Sequence, residues 1–142
     1  MNQERLIKIV EDFQECISDI DECIEILENN SDNKIMIKLA KSSLRQLFVS
    51  FNTILEDFTS VTLKSLKKYK IGMTLNDSLE VLKEEKVLDA ELFNFLEKSR
   101  LLRNRISHRY KEPAHAELFE HVVKYKDDFK KILNIAKQYL KE

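Results

Sequence analysis

Between Lys98 and Lys111 the chain reads KSRLLRNRISHRYK, with six lysines and arginines, no acid, and Arg103, Asn104, His108 and Tyr110 set among them. Arginine carries a planar, permanently charged guanidinium whose N–H groups grip phosphate or carboxylate two at a time. Histidine exchanges a proton near neutral pH. Tyrosine adds a phenolic hydroxyl. A charge stabiliser and a proton carrier thus lie within two helical turns of each other, beside enough positive charge to hold a polyanion.

The elements that must position these groups are helical. A chain of 142 residues with one Gly and one Pro has too few turn residues for sheets, and it is long enough to bury one ordinary core, so residues 1–142 read as a single all-α domain. Net charge is −1, but its sign is unevenly spread: residues 1–30 hold nine acids against Arg5 and Lys8, while the Lys98–Lys111 window is purely basic. Bulk charge therefore gives no sign of nucleic-acid binding, whereas a local basic site can still supply it. No stretch approaches the roughly 20 apolar residues of a membrane span, and the charged start MNQERLIKIVEDF does not read as a signal peptide, so a cytoplasmic address is expected. Cys16 and Cys23, seven apart on one helical pattern, are too far apart to pair within it and read as small core residues.

Leu6, Ile9, Val10, Phe13, Cys16, Ile17, Ile20, Cys23, Ile24 and Leu27 recur at three- and four-residue steps and predict a helix over about residues 2–29. A second long pattern starts with Ser31 or Asp32 as N-cap and runs through Ile35, Leu44, Phe48, Phe51, Leu55, Phe58 and Leu66 to about Lys70. Gly72 is expected in the left-handed position just past it. Thr74 and Asp77 have capping-box spacing before Leu75, Leu79 and Leu82. Asp89 caps a fourth helix whose inner face reads Leu92, Phe93, Leu96, Leu101 and Leu102; this helix carries the basic segment and frays before Pro113. A last helix over roughly Ala114–Leu140 turns Leu118, Val122, Phe129, Ile132, Leu133, Ala136 and Tyr139 inward. Four or five helices with short connections make an antiparallel bundle.

The spacing of Arg103, Asn104, His108 and Tyr110 is R-N-x3-H-x-Y, and it resembles the signature of the HEPN superfamily, in particular its HepT-like toxin branch, partner of MntA-type nucleotidyltransferase antitoxins. The order of elements from Met73 to Tyr110 resembles that branch as well. The resemblance implies a homodimer whose two motifs meet in a cleft, acting as a metal-independent ribonuclease. Arg103 and His108 would then be catalytic, with Asn104 supporting them, and Tyr110 would be the tyrosine on which the partner enzyme places AMP. Arg105, Arg109 and Lys111 would contact RNA phosphates. Arg105 and Ser107 depart from the branch, occupying interior motif positions where hydrophobic residues are also common.

The side chains suit that chemistry in their own right. Cleaving RNA without a metal requires removing the 2′-hydroxyl proton, returning a proton to the 5′-oxygen and stabilising the phosphorane between; imidazole serves the first two and guanidinium the third. On an ideal helix Arg103 and His108 are about 140° apart, whereas Asn104 and His108 share a face, so Asn104 is expected to orient the imidazole. Two other readings stay open. The basic cleft can belong to a noncatalytic subunit that presents a substrate or nucleotide to a separate nucleotidyltransferase. Alternatively, Arg103, Arg105 and Arg109 can be a solvated face opposing the helix dipole, with His108 as a cap. His115 and His121 are six apart with no acidic or thiol companions at ligand spacing, so neither a metal nor a cofactor is expected.

Overall fold

Six helices follow one another in the computed structural model, which describes residues 1–29, 32–108 and 110–141: α1 (Gln3–Asn29), α2 (Lys34–Ser65), α3 (Leu75–Glu84), α4 (Ala90–Ile106), α5 (His115–Lys124) and α6 (Lys126–Gln138). No strand occurs among the described residues. The cross-links run in opposite chain directions, which makes the packing antiparallel. Arg5 reaches Asp57, Phe13 packs against Phe51 and Phe58, and the Cys16 thiol donates to the Leu47 carbonyl, pairing α1 with α2. Likewise Lys98 meets Tyr125, Ser99 meets His121 and Arg105 meets Glu117, so α5 returns along α4.

The core is aromatic at its centre. Phe51 is fully buried, with ring centroids 5.6 Å from Phe13, 6.1 Å from Phe95 and 4.6 Å from Phe129, so one side chain ties four helices together. Both cysteines are free and buried, and burial pushes the Cys16 thiol up to about 12. At the far end, Gln3 donates to the Tyr139 carbonyl at 3.1 Å and accepts from the Lys141 amide at 3.0 Å.

Several boundaries differ from the expectation. The cap of α2 is Asn33, whose side chain accepts from the Met36 amide; of the two caps expected, Asp32 stays outside the helix and Ser31 lies outside the described residues. The same helix stops at Ser65 rather than Lys70. Lys67 takes the left-handed conformation (φ 59°), and the Lys67 and Lys68 amides bond back to the Lys64 and Leu63 carbonyls, a Schellman closure made by lysine. Gly72 (φ 87°) instead serves a separate turn in which the Met73 amide reaches the Lys70 carbonyl. Lys86 (φ 62°) closes α3 in the same way as Lys67 closes α2, through Lys83 and Leu82. The Thr74–Asp77 capping box and the Asp89 cap stand as expected.

Two faces are also corrected. Ile35 is 73% exposed because the first turn of α2 projects past the core. On α4 the buried face is Leu92, Phe95, Leu96, Ser99 and Leu102, while Leu101 is half-exposed. The expected last helix is two: Tyr125 (φ −102°, ψ 20°) ends α5 and begins α6. That break lets the Tyr125 ring lie 5.0 Å from both Phe95 and His121 while Asp127 and Asp128 enter the first turn of α6, where the dipole favours acids.

Phe51→Ala should cost about 3–5 kcal/mol in a denaturant melt, the range for emptying an aromatic core site. His121, mostly buried and hydrogen-bonded to Ser99, has its pKa lowered from 6.5 to about 4, by burial first and then by Lys98 and Lys124. The unfolded chain takes that proton near 6.5 and the folded one only near 4, so acidification across this window removes stability, on the order of 3 kcal/mol once the pH is below both values. His121→Gln should flatten the loss of stability between pH 7 and pH 4, measured by chemical denaturation at each pH.

Candidate active site

The motif lies where α4 runs out. Leu102 is the last buried residue of the helix; Arg103 and Arg105 occupy its final turn, where cations complement the dipole, and Ser107 caps it with its amide on the Arg103 carbonyl at 3.3 Å. Pro113 disfavours helical geometry at Glu112, so the chain cannot run straight into α5. A turn follows instead, with the Lys111 amide on the His108 carbonyl at 2.9 Å.

Arg103 is half-buried. Its Nη1 donates to Ser107 Oγ at 2.8 Å, while its Nε is buried with no partner among the described residues. A buried donor left unpaired costs about 1–3 kcal/mol, and an acceptor arriving from outside would remove that cost. His108, Asn104 and Lys111 are exposed, and Tyr110 is 95% exposed. Asn104 and His108, expected to share a helical face, are not hydrogen-bonded: the helix ends at Ile106, so four-residue geometry does not extend to the histidine. Arg109 lies outside the described residues.

Arg105 has work within the chain. Its Nε donates to the Lys111 carbonyl at 3.2 Å and its two terminal nitrogens grip the Glu117 carboxylate, one of them at 3.0 Å. The pairing lowers the Glu117 pKa, through the hydrogen bond from Arg105 first, and raises that of Arg105 for the same reason. A second clamp joins Arg45 of α2 to Glu112. The motif turn is therefore held at its near side by α5 and at its far side by α2. Sequence reading missed both acids; charge alone did not mark them. It also missed Ser107 as partner to Arg103, although their four-residue spacing signals that contact.

Behind the turn, a cleft of about 230 Å³ is lined by Lys41, Ser42, Arg45, Ile106, Pro113, His115 and Leu118. Burial lowers the His115 pKa, and the nearby Lys41 charge adds to that. Among the described residues no group of three or more His, Cys, Asp and Glu could hold a metal ion, and no helix is long and apolar enough to cross a membrane.

The family model described as ribonuclease HepT-like matches residues 13–136. Among solved structures, the chain is similar to a tri-AMPylated Shewanella oneidensis HEPN toxin in complex with MNT antitoxin, at 18% identity and a TM-score of 0.77, covering 97% of this chain and 99% of that one. A toxin–antitoxin with AMP-PNP aligns at 18% identity and a TM-score of 0.74, over 96% of this chain and 98% of that chain. A mutant MntA-HpeT toxin–antitoxin does so at 18% and 0.73, over 95% and 98%. No curated protein matches. At that identity the structures speak for the fold, and the six helices share it along nearly their whole length. The family match spans most of the chain, motif included: this protein belongs to the ribonuclease HepT-like family.

Proposed function

We propose that the protein is a metal-independent endoribonuclease toxin that cuts RNA with Arg103 and His108 and is silenced when a cognate nucleotidyltransferase antitoxin attaches AMP to Tyr110. The observation that carries the reading is the motif's situation: a half-buried arginine with an unpartnered Nε, followed by an exposed histidine and an exposed tyrosine on a turn tied down at both sides.

Imidazole removes the proton from a 2′-hydroxyl, whose oxygen attacks the adjacent phosphorus. The 5′-oxygen leaves with a proton, and the products are a 2′,3′-cyclic phosphate and a 5′-hydroxyl end. The Arg103 fork neutralises the phosphorane oxygens, and Asn104 supports the pair from the same last turn of α4. One histidine cannot sit on both sides of the phosphorus at once, which favours a homodimer in which two motifs face one cleft and divide the proton transfers. Lys111 and Arg109 add affinity for the strand without sequence choice. Arg105 reaches RNA only by leaving Glu117.

Silencing follows from the same geometry. The Tyr110 oxygen, open to solvent, can attack the α-phosphorus of ATP and release pyrophosphate. The phosphodiester so formed places negative charge two residues from His108, where it repels RNA and fills the approach. The Shewanella oneidensis toxin with this fold is itself tri-AMPylated, which supports the analogy.

His108→Ala and Arg103→Ala should each lower the single-turnover cleavage rate by about two to four orders of magnitude while leaving the melting curve in place. Tyr110→Phe should cut RNA as the wild type does yet incorporate no radiolabelled AMP from the antitoxin. Wild-type protein that cuts no RNA but binds a nucleotidyltransferase tightly would instead be the noncatalytic subunit.

A further inference from the structure

The cleft behind the motif turn has the make-up of a second anion site. Lys41 and Arg45 on α2 and His115 at the start of α5 supply its polar side, and Ile106, Pro113 and Leu118 supply an apolar floor. Its walls are continuous with the motif: Ile106 ends α4 two residues before His108, and Pro113 follows Tyr110 by three. We infer that this cleft is a subsite for an RNA backbone phosphate next to the scissile one, with the apolar floor receiving the attached ribose. The inference rests on the RNA-cleaving reading and extends it along the strand.

Three observations carry it. First, about 230 Å³ is room for a phosphate and part of a sugar rather than for a folded partner. Second, an anion already occupies the rim: Glu112 pairs with Arg45, so the guanidinium is set to hold a planar or tetrahedral anion at this place. A backbone phosphodiester presents two non-bridging oxygens as the carboxylate does, and with Lys41 in the same cleft as a second cation it can take the arginine over. Third, the His115 ring is held against Phe119, with centroids 5.8 Å apart and planes 29° apart, which limits the orientations its ring nitrogens can take. Phosphate binding at Arg45 would free Glu112, two residues past Tyr110, so occupancy of the subsite is felt by the turn that carries the reactive side chains.

The test uses full-length protein carrying His108→Ala, which keeps RNA intact, and a fluorescein-labelled single-stranded oligoribonucleotide followed by anisotropy. Adding Lys41→Gln and Arg45→Gln together should weaken binding about tenfold or more and reduce the slope of log K against log salt by about 0.7, the share of one phosphate on a single strand. Removing the competing acid by Glu112→Gln should tighten binding instead, a gain that a misfolded variant cannot produce. Unchanged affinity and slope in the double variant, weaker binding in Glu112→Gln, or no RNA binding at all would overturn the subsite. AMP held more tightly than the oligoribonucleotide would overturn its assignment to a strand. Cleavage by the chain with His108 in place separates this from the reading beneath it: if that chain cuts no RNA while the binding differences hold, the RNA-cleaving reading fails and the phosphate-binding measurement stands.

Discussion

Helix α4 is gripped along one face by Leu92, Phe95, Leu96, Ser99 and Leu102, and the grip stops one residue before Arg103. Every later feature of the motif follows from that boundary. Upstream, the helix is fixed by the aromatic cluster around Phe51 and by Ser99 meeting His121 at 2.8 Å. Downstream, no apolar side chain is left to bury until Ile106, and Pro113 forbids a continuous helix. The polar residues are delivered to the surface by a rigid rod and released where the rod ends, an arrangement that positions groups more closely than a free loop.

A segment this basic repels itself; an acid of α5 offsets part of that repulsion, and an acid of the turn just past the segment answers a cation of α2. Glu117 answers Arg105 and Glu112 answers Arg45, one pair bridging to α5 and the other to α2. Each pair is about half-exposed and contributes little to global stability. Their value is local: they decide which cations are occupied and where the turn rests. Arg103 is the cation of the segment with a buried, unmet donor among the described residues, and the exposed His108 follows it by five residues.

The regular parts of this architecture were legible because periodicity reports burial. The apolar stripes of α1 and most of α2 read correctly, as did the capping box at Thr74 and the cap at Asp89, since each is encoded by neighbours in sequence. What failed was encoded by distant partners. Phe95 and Ser99 read as unremarkable until His121 and Tyr125 come up against them, and the break at Tyr125 depends on an aromatic cluster no local pattern reveals. Helix ends at Lys67 and Lys86 were invisible because lysine rarely enters the left-handed region, and Gly72 nearby drew the assignment to itself. The site divides in the same way. Its candidate residues were named from spacing and a family resemblance, whereas the commitment of Arg105 to Glu117, twelve residues on, needed the fold.

Gln3 holds both the carbonyl of Tyr139 and the amide of Lys141, so the first turn of α1 and the residues just past α6 are stitched side by side. A rearranged gene could join these neighbouring positions with a short linker and begin instead in the exposed segment between α2 and α3, leaving every helix whole. The basic turn after α4 would then fall in the first third of the new polypeptide rather than the last, its geometry resting on the bundle and owing nothing to the order in which the helices are translated.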